Sequence, residues 1–261
     1  MDDTKVGGSV LQTDSVERQP MLADSPVLSR YVNGGFVHVD GWGVDAELID
    51  IFRQIDAFQA SQGVAGSLCE IGVHHGRTLI LLALMRKPGE RVVGIDLFES
   101  AQDQNLDASG SGSMQAVRVN LATHAPDIEV DLITANSFDL TPDDREMLRG
   151  ARMFHIDGGH FMEVVLNDLA LAQQMLGAGG VIVIDDYWHS GFPEVHEAVQ
   201  RYFSTATALK AVPFMTGKNK LFLAHSSHRD RIAAHFRGVL PLDRCKTIRL
   251  LGHDAICCDP H

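Results

Sequence analysis

Val181-Ile-Val-Ile-Asp185-Asp186, read together with the earlier Ala151-Arg-Met-Phe-His-Ile-Asp157-Gly-Gly-His160, governs how this chain folds. Four aliphatic residues follow Gly179-Gly180 and end in two acids. Such a run reads as a strand buried on both faces, the pattern of core strands in a parallel sheet. The segment ending at Asp157 has the same character. Between the two, Phe161 to Leu176 carries the apolar spacing of a helix, with Gly-Ala-Gly-Gly as its stop. Strand, helix and strand make one βαβ unit, so both sets of acids emerge at the same sheet edge, where open α/β sheets bind ligands. We therefore expect a metal site of Asp157, Asp185 and Asp186. Asp185-Asp186 would also serve as a helix cap, but capping needs one acid and leaves Asp157 unexplained.

Outward from this unit the alternation continues. Val44, Leu48, Ile51, Phe52, Ile55 and Phe58 recur at helical spacing. Leu68 to Val73 reads as a first strand, Gly76 to Arg86 as a helix, and Arg91 to Asp96 as a second strand ending in an acid. Glu99 to Ser113 is polar and rich in Gly and Ser, which inside a domain marks either a functional lid or disorder, and a lid is the expectation. A helix from Met114 to His124, a strand from Glu129 to Ala135 and a short helix opened by Thr141-Pro142 follow. Beyond Asp186 we expect a helix from about Phe192 to Phe203, then strands near Lys210 to Met215 and Lys220 to Ala224, joined as a hairpin through Thr-Gly-Lys-Asn. The prediction is an α/β fold: a doubly wound, Rossmann-like sheet of about seven strands, mostly parallel, with a terminal antiparallel hairpin. Residues 1–28 read as a flexible N-terminal segment, 29–64 as a leading helical segment, 65–226 as the catalytic domain and 227–261 as a C-terminal helix and tail.

Composition narrows the function. With 261 residues and 45% hydrophobic content, the chain can bury a full core. Its longest apolar run, Leu79 to Met85, is far short of the ~20 residues of a membrane span. The opening Met-Asp-Asp-Thr-Lys lacks a secretory pattern, so a cytoplasmic protein is expected. Thirty-four acids against 22 bases give a net charge of −12, which argues against nucleic acid as a partner. Cys69, Cys245, Cys257 and Cys258 show neither C-x-x-C nor framework spacing, so reduced thiols are expected. A homo-oligomer stays possible.

Glu70-Ile-Gly72-Val-His-His-Gly76 occupies the turn from first strand to first helix. A dinucleotide fingerprint needs three glycines around a pyrophosphate. Here an acid and two glycines suit a ligand without phosphates that carries positive charge, as S-adenosylmethionine does. Asp96 stands where a carboxylate takes ribose hydroxyls, and Asn136-Ser137 can reach the adenine edge. The candidate cofactor residues are Glu70, Gly72, Gly76, Thr78, Asp96, Asn136 and Ser137.

In their order, E-x-G-x-x-x-G, strand-terminal Asp96, Asn136-Ser137, I-D-G-G-H and I-D-D-Y resemble the class I S-adenosylmethionine-dependent methyltransferases over roughly residues 65 to 225. The last two motifs are similar to the metal-dependent sugar O-methyltransferases of antibiotic biosynthesis, of the macrocin and mycinamicin type. That resemblance implies a divalent cation, usually magnesium, holding a hydroxyl of a small-molecule acceptor beside the methyl donor. One branch of the family pairs a metal-ligating Asp with a His base in D-x-x-H, which matches Asp157 and His160; other branches use an aspartate as base. Two further classes stay open: a nicotinamide-dependent oxidoreductase on the same sheet, and a non-catalytic binding relative. His74 and His75 read as loop residues, His155 as a packed or supporting histidine, and Trp188 and His189 as either pocket wall or helix staple.

Overall fold

A computed structural model describes residues 25–105, 110–241 and 244–258. Of the segment expected to be flexible, 1–28, residues 1–24 lie outside the described residues, as do 106–109 of the expected lid. Helix α1 (Pro26–Val32) starts behind Ser25, whose side chain accepts from the Leu28 amide, and α2 (Ala46–Ser61) starts behind Asp45 in the same way. Then come β1 (Leu68–Ile71), α3 (Arg77–Leu84), β2 (Val92–Asp96), α4 (Met114–His124), β3 (Asp131–Thr134), α5 (Pro142–Leu148), β4 (Ala151–Ile156), α6 (Met162–Met175) and β5 (Leu176–Ile184). The chain continues through α7 (Pro193–Thr205), β6 (Ala211–Gly217), β7 (Lys220–His225), α8 (Arg229–Val239), β8 (Cys245–Leu250) and β9 (His253–Cys258).

One sheet collects all these strands in the order β3-β2-β1-β4-β5-β7-β6-β9-β8. The first five run parallel; β7 pairs antiparallel with both β5 and β6. Strand side chains alternate between two cores, as period-two geometry requires. Val181 and Val183 face the layer of α1 to α3 and α8, whereas Ile182 and Ile184 face that of α6 and α7. This is the doubly wound arrangement.

Three expectations need correction. The sheet has nine strands among the described residues, not seven, because β8 and β9 fold back as a second hairpin through Leu251-Gly252, both at positive φ. Their register sets Cys245 against Cys258 at a Cα separation of 4.3 Å, and the two form a disulfide rather than remaining reduced thiols. The Gly-Ala-Gly-Gly run is also not a helix stop. It is the start of β5, where a Cβ on Gly177 would lie 2.8 Å from the Gly150 carbonyl oxygen and one on Gly180 2.7 Å from that of Ala151, at the start of the neighbouring strand β4. Glycine is needed there because two backbones pass in close contact.

Candidate active site

The carboxyl ends of β1, β2, β4 and β5 open into one cavity of about 570 Å³, a volume within the ordinary range of small-molecule sites. Gly72, at φ +83°, turns the chain out of β1. A Cβ there would fall 1.8 Å from the Asp157 carbonyl oxygen, so no other residue fits the crossing. Asp96 ends β2 with its carboxylate already oriented: Oδ2 accepts the Val73 and His74 amides at 2.7 and 2.8 Å, and Oδ1 accepts Phe98 at 2.8 Å. Above it passes the irregular 110–113 segment of the expected lid, and a Cβ on Gly112 would sit 2.5 Å from Asp96 Oδ1. The Ser113 amide donates to the His74 carbonyl. Glu99 accepts from the Ser113 hydroxyl and the Met114 amide.

Gly72, Asp96, Asn136 and Ser137 all line the cavity. Ser137 donates to Asp168, which burial pushes up to about 6 against the pull of that bond and of Asn167. Three other expected cofactor residues lie outside the lining. Gly76 is the N-cap of α3 at φ +91°, packed on Val117, and Thr78 is buried two residues further on. Glu70 turns across the sheet to His155, Oε1 to Nδ1 at 2.9 Å. Their strands pair in parallel with Glu70 level with His155. Burial, then the charge on Asp96, holds the Glu70 carboxyl well above its usual range; burial also keeps His155 low.

At the far end of the cavity the acids of β4 and β5 converge, but not as a simple triad. Ligand atoms of Asp157, His160 and Asp186 lie within 4.8 Å of one another, and so do those of His155, Asp157 and Asp185. His160 Nε2 is 3.0 Å from Asp186 Oδ2, and its ring stacks on Phe192 at 3.8 Å. Asp186, at φ +53°, is held by the Asn219 side-chain amide at 2.7 Å. Asp185 instead accepts from the Asp186 amide and forms an ion pair with Lys220. Burial would raise Asp185, but the Lys220 ammonium and His155 outweigh it and hold its carboxyl below the usual range. Asp157, buried and beside Asp185, is held well above. Oxygen donors with one imidazole suit a hard divalent cation, so the residues fit such an ion at Asp157 and Asp186.

Sequence reading missed Lys220, Asn219 and Asp168. The signal for the first two lay in the hairpin: if β7 runs antiparallel beside β5, the residues after the Lys218-Asn219 turn must face the strand-end acids. Trp42, 69% exposed on the cavity rim and 4.9 Å from the His74 ring, had no local signal. His74 and His75 do form a cluster with Asp40. Their rings are stacked at 4.0 Å, and His75 Nδ1 lies 3.5 Å from Asp40 Oδ2.

Comparison with known proteins agrees with this geometry. Residues 69–187 match the family model of a methyltransferase domain. The fold is similar to that of the O-methyltransferase NovP, with a TM-score of 0.54 and 18% identity over 70% of this chain and 81% of that one. It is also similar to a putative caffeoyl-CoA O-methyltransferase from Staphylococcus aureus (TM-score 0.54, 15% identity, 77% and 92% coverage). A third likeness is to the TDP-rhamnose 3′-O-methyltransferase of calicheamicin biosynthesis (TM-score 0.50, 16% identity, 78% and 97% coverage). An uncharacterized protein of Acanthamoeba polyphaga mimivirus is 30% identical over 149 residues, 56% of this chain and 62% of its own length. The chain thus spans less than two thirds of that relative. Residues 69–187 are therefore similar to a methyltransferase domain, in a fold that resembles those of solved O-methyltransferases.

Proposed function

We propose that this protein moves a methyl group from S-adenosylmethionine to a hydroxyl of a small molecule, with a sugar of a glycosylated natural product as the acceptor class and a divalent cation, magnesium by preference, as the aid. The observation that carries the proposal is a single cavity with cofactor-type residues at β1 and β2 and an acid and imidazole cluster at β4 and β5. Gly72 gives the donor close approach to backbone, Asp96 offers the acceptor site left on Oδ1 to a ribose hydroxyl, and Asn136 and Ser137 face the base. Asp157 and Asp186 are the acids we assign to the cation; Asp185 is engaged by Lys220. A hard cation, when bound, lowers the cost of deprotonating a hydroxyl.

His160 sits beside Asp186 and is the residue we assign to take the acceptor proton. Its stacking on Phe192 and its contact with Asp186 fix the ring, so the proton has one acceptor at a defined place. Transfer then depends chiefly on alignment of oxygen, carbon and sulfur, which the shared cavity supplies. The sugar likeness rests on the calicheamicin neighbour, whose name states a rhamnose acceptor.

The test is methyl transfer to a panel of glycosylated and phenolic acceptors, with and without chelator. We expect turnover that chelator abolishes and that Mg²⁺ restores. Asp157→Asn should lose at least a hundredfold in kcat while binding cofactor normally. Full activity in chelator would remove the cation from the reading, and a phenolic preference would remove the sugar.

A further inference from the structure

Lys220 is the feature that the fold and proposed reaction leave unexplained. Its side chain is 1% exposed, yet it ends on the cavity wall against Asp185, which is itself 8% exposed. The register explains how it arrives there. Ile184 pairs with Leu221 across antiparallel β5 and β7, so the next position outward sets Lys220 opposite Asp185. The Lys218-Asn219 turn, with both residues at positive φ, allows no slack, and Asn219 pins the other side through Asp186 and the Tyr187 and Trp188 amides. Gly43 seals the pair from above: a Cβ there would lie 3.1 Å from Asp185 Oδ2 and 3.3 Å from Lys220 Nζ. The ammonium also acts on Glu70, His155 and Asp157.

We propose that Lys220 is a built-in counter-cation of the acid cluster, which occupies Asp185 and so restricts a divalent cation to Asp157 and Asp186. The inference rests on the divalent-cation site proposed above. A buried carboxylate without a partner is costly, and four acids lie on or behind this wall: Glu70, Asp157, Asp185 and Asp186. One fixed ammonium keeps the wall folded before any ion arrives. The same charge repels an incoming dication at short range in a poorly solvated site. Lys220 therefore makes the cation exchangeable and sets the two remaining acids as its ligands. Lys220 is a positioning residue in this scheme, since it acts through Asp185 and not on the acceptor.

The experiment is Mn²⁺ binding to the full chain, by electron paramagnetic resonance and calorimetry, alongside Mn²⁺-dependent Tm. Lys220→Met should bind Mn²⁺ at least tenfold more tightly than wild type and gain more Tm from it, while Lys220→Arg should behave as wild type. In the Lys220 background, Asp185→Asn should change Mn²⁺ affinity less than threefold. In Lys220→Met it should erase the gain. Asp157→Asn should cost more than tenfold in both backgrounds. Equal Mn²⁺ affinity in wild type and Lys220→Met, still dependent on Asp157, would overturn the role of Lys220 and leave the cation site standing. Absence of Mn²⁺ binding in both would overturn the two together. Should Lys220→Met fail to fold, Asp185→Asn alone decides: a loss as large as that of Asp157→Asn overturns the proposal.

Discussion

Asp168 shows how one buried side chain ties the cavity to pH. It lies under Ser137 and Asn167, and burial lifts its carboxyl to about 6. Unfolded, an aspartate titrates near ~3.9. Between those values the folded protein holds a proton that the unfolded chain has released, so this residue's contribution to stability falls as pH rises through the window. Above pH 6 the cost levels off, on the order of 3 kcal/mol. Asp168→Asn cannot titrate, so its Tm relative to wild type should rise from pH 4 to pH 6 and stay flat beyond. A Tm gap independent of pH would contradict the assignment. The backbone makes comparable demands at single positions. Gly72 is one, with no room for a Cβ and a φ that L residues rarely adopt.

At the scale of elements, the segment from Glu99 to Ser113 matters most. Its described parts are a 3-10 turn, Glu99–Gln104, and an irregular return segment anchored through Glu99 to Ser113 and through the Asn105 side-chain amide to the Gly110 carbonyl. Gly112 crosses directly over Asp96. A methyl group at this point forces either the segment or the carboxylate to move, so Gly112→Ala should weaken S-adenosylhomocysteine binding at least tenfold by calorimetry. Wild-type affinity in this variant would show that the segment lifts clear of Asp96 in the bound state. The β6–β7 hairpin is the second decisive element, because its short turn delivers Asn219 and Lys220 to the strand-end acids. The fold also positions aromatic walls here, with Phe192 at the start of α7 stacked on His160.

Over the whole molecule, Arg152 joins the layers. It is fully buried in β4 and bonds Glu90 and Asp56 at 2.8 Å each, Gln59 at 2.9 Å and the Met85 carbonyl at 2.9 Å. It therefore links α2, the end of α3 and the centre of the sheet. Removing Arg152 leaves Glu90 charged and buried and Asp56 charged and half-buried, so Arg152→Ala should cost about 3–5 kcal/mol by urea unfolding. Arg152→Met, which refills the volume, should cost more than Asp56→Asn, because it strands two acids instead of weakening one contact. No helix among the described residues is long and apolar enough to cross a membrane. The site lies where the molecule's two helical layers meet the carboxyl edge of the sheet.

Periodicity and local chemistry carried much of this in the sequence alone. The strand ending at Ile184 is apolar throughout because helices cover both its faces, and that pattern survives in one dimension. Capping residues such as Thr141 and turn glycines such as Gly72 and Gly76 are equally local, so the order of strands and helices and the acids at their ends could be read directly. The terminal hairpin through β8 and β9 could not. Its outer strand, half exposed, alternates weakly, and its disulfide partners, 13 residues apart, meet only through the hairpin register. The direction of Glu70 toward His155 also needed neighbouring strands to be aligned. Most of all, the division of Asp157, Asp185 and Asp186 between His160, Lys220 and Asn219 is a property of pairing across strands. Sequence determined which charges reach the sheet edge, because each is bound to its own strand end; only the tertiary structure decided which charge faces which, because that depends on register and on the side chains brought from β7.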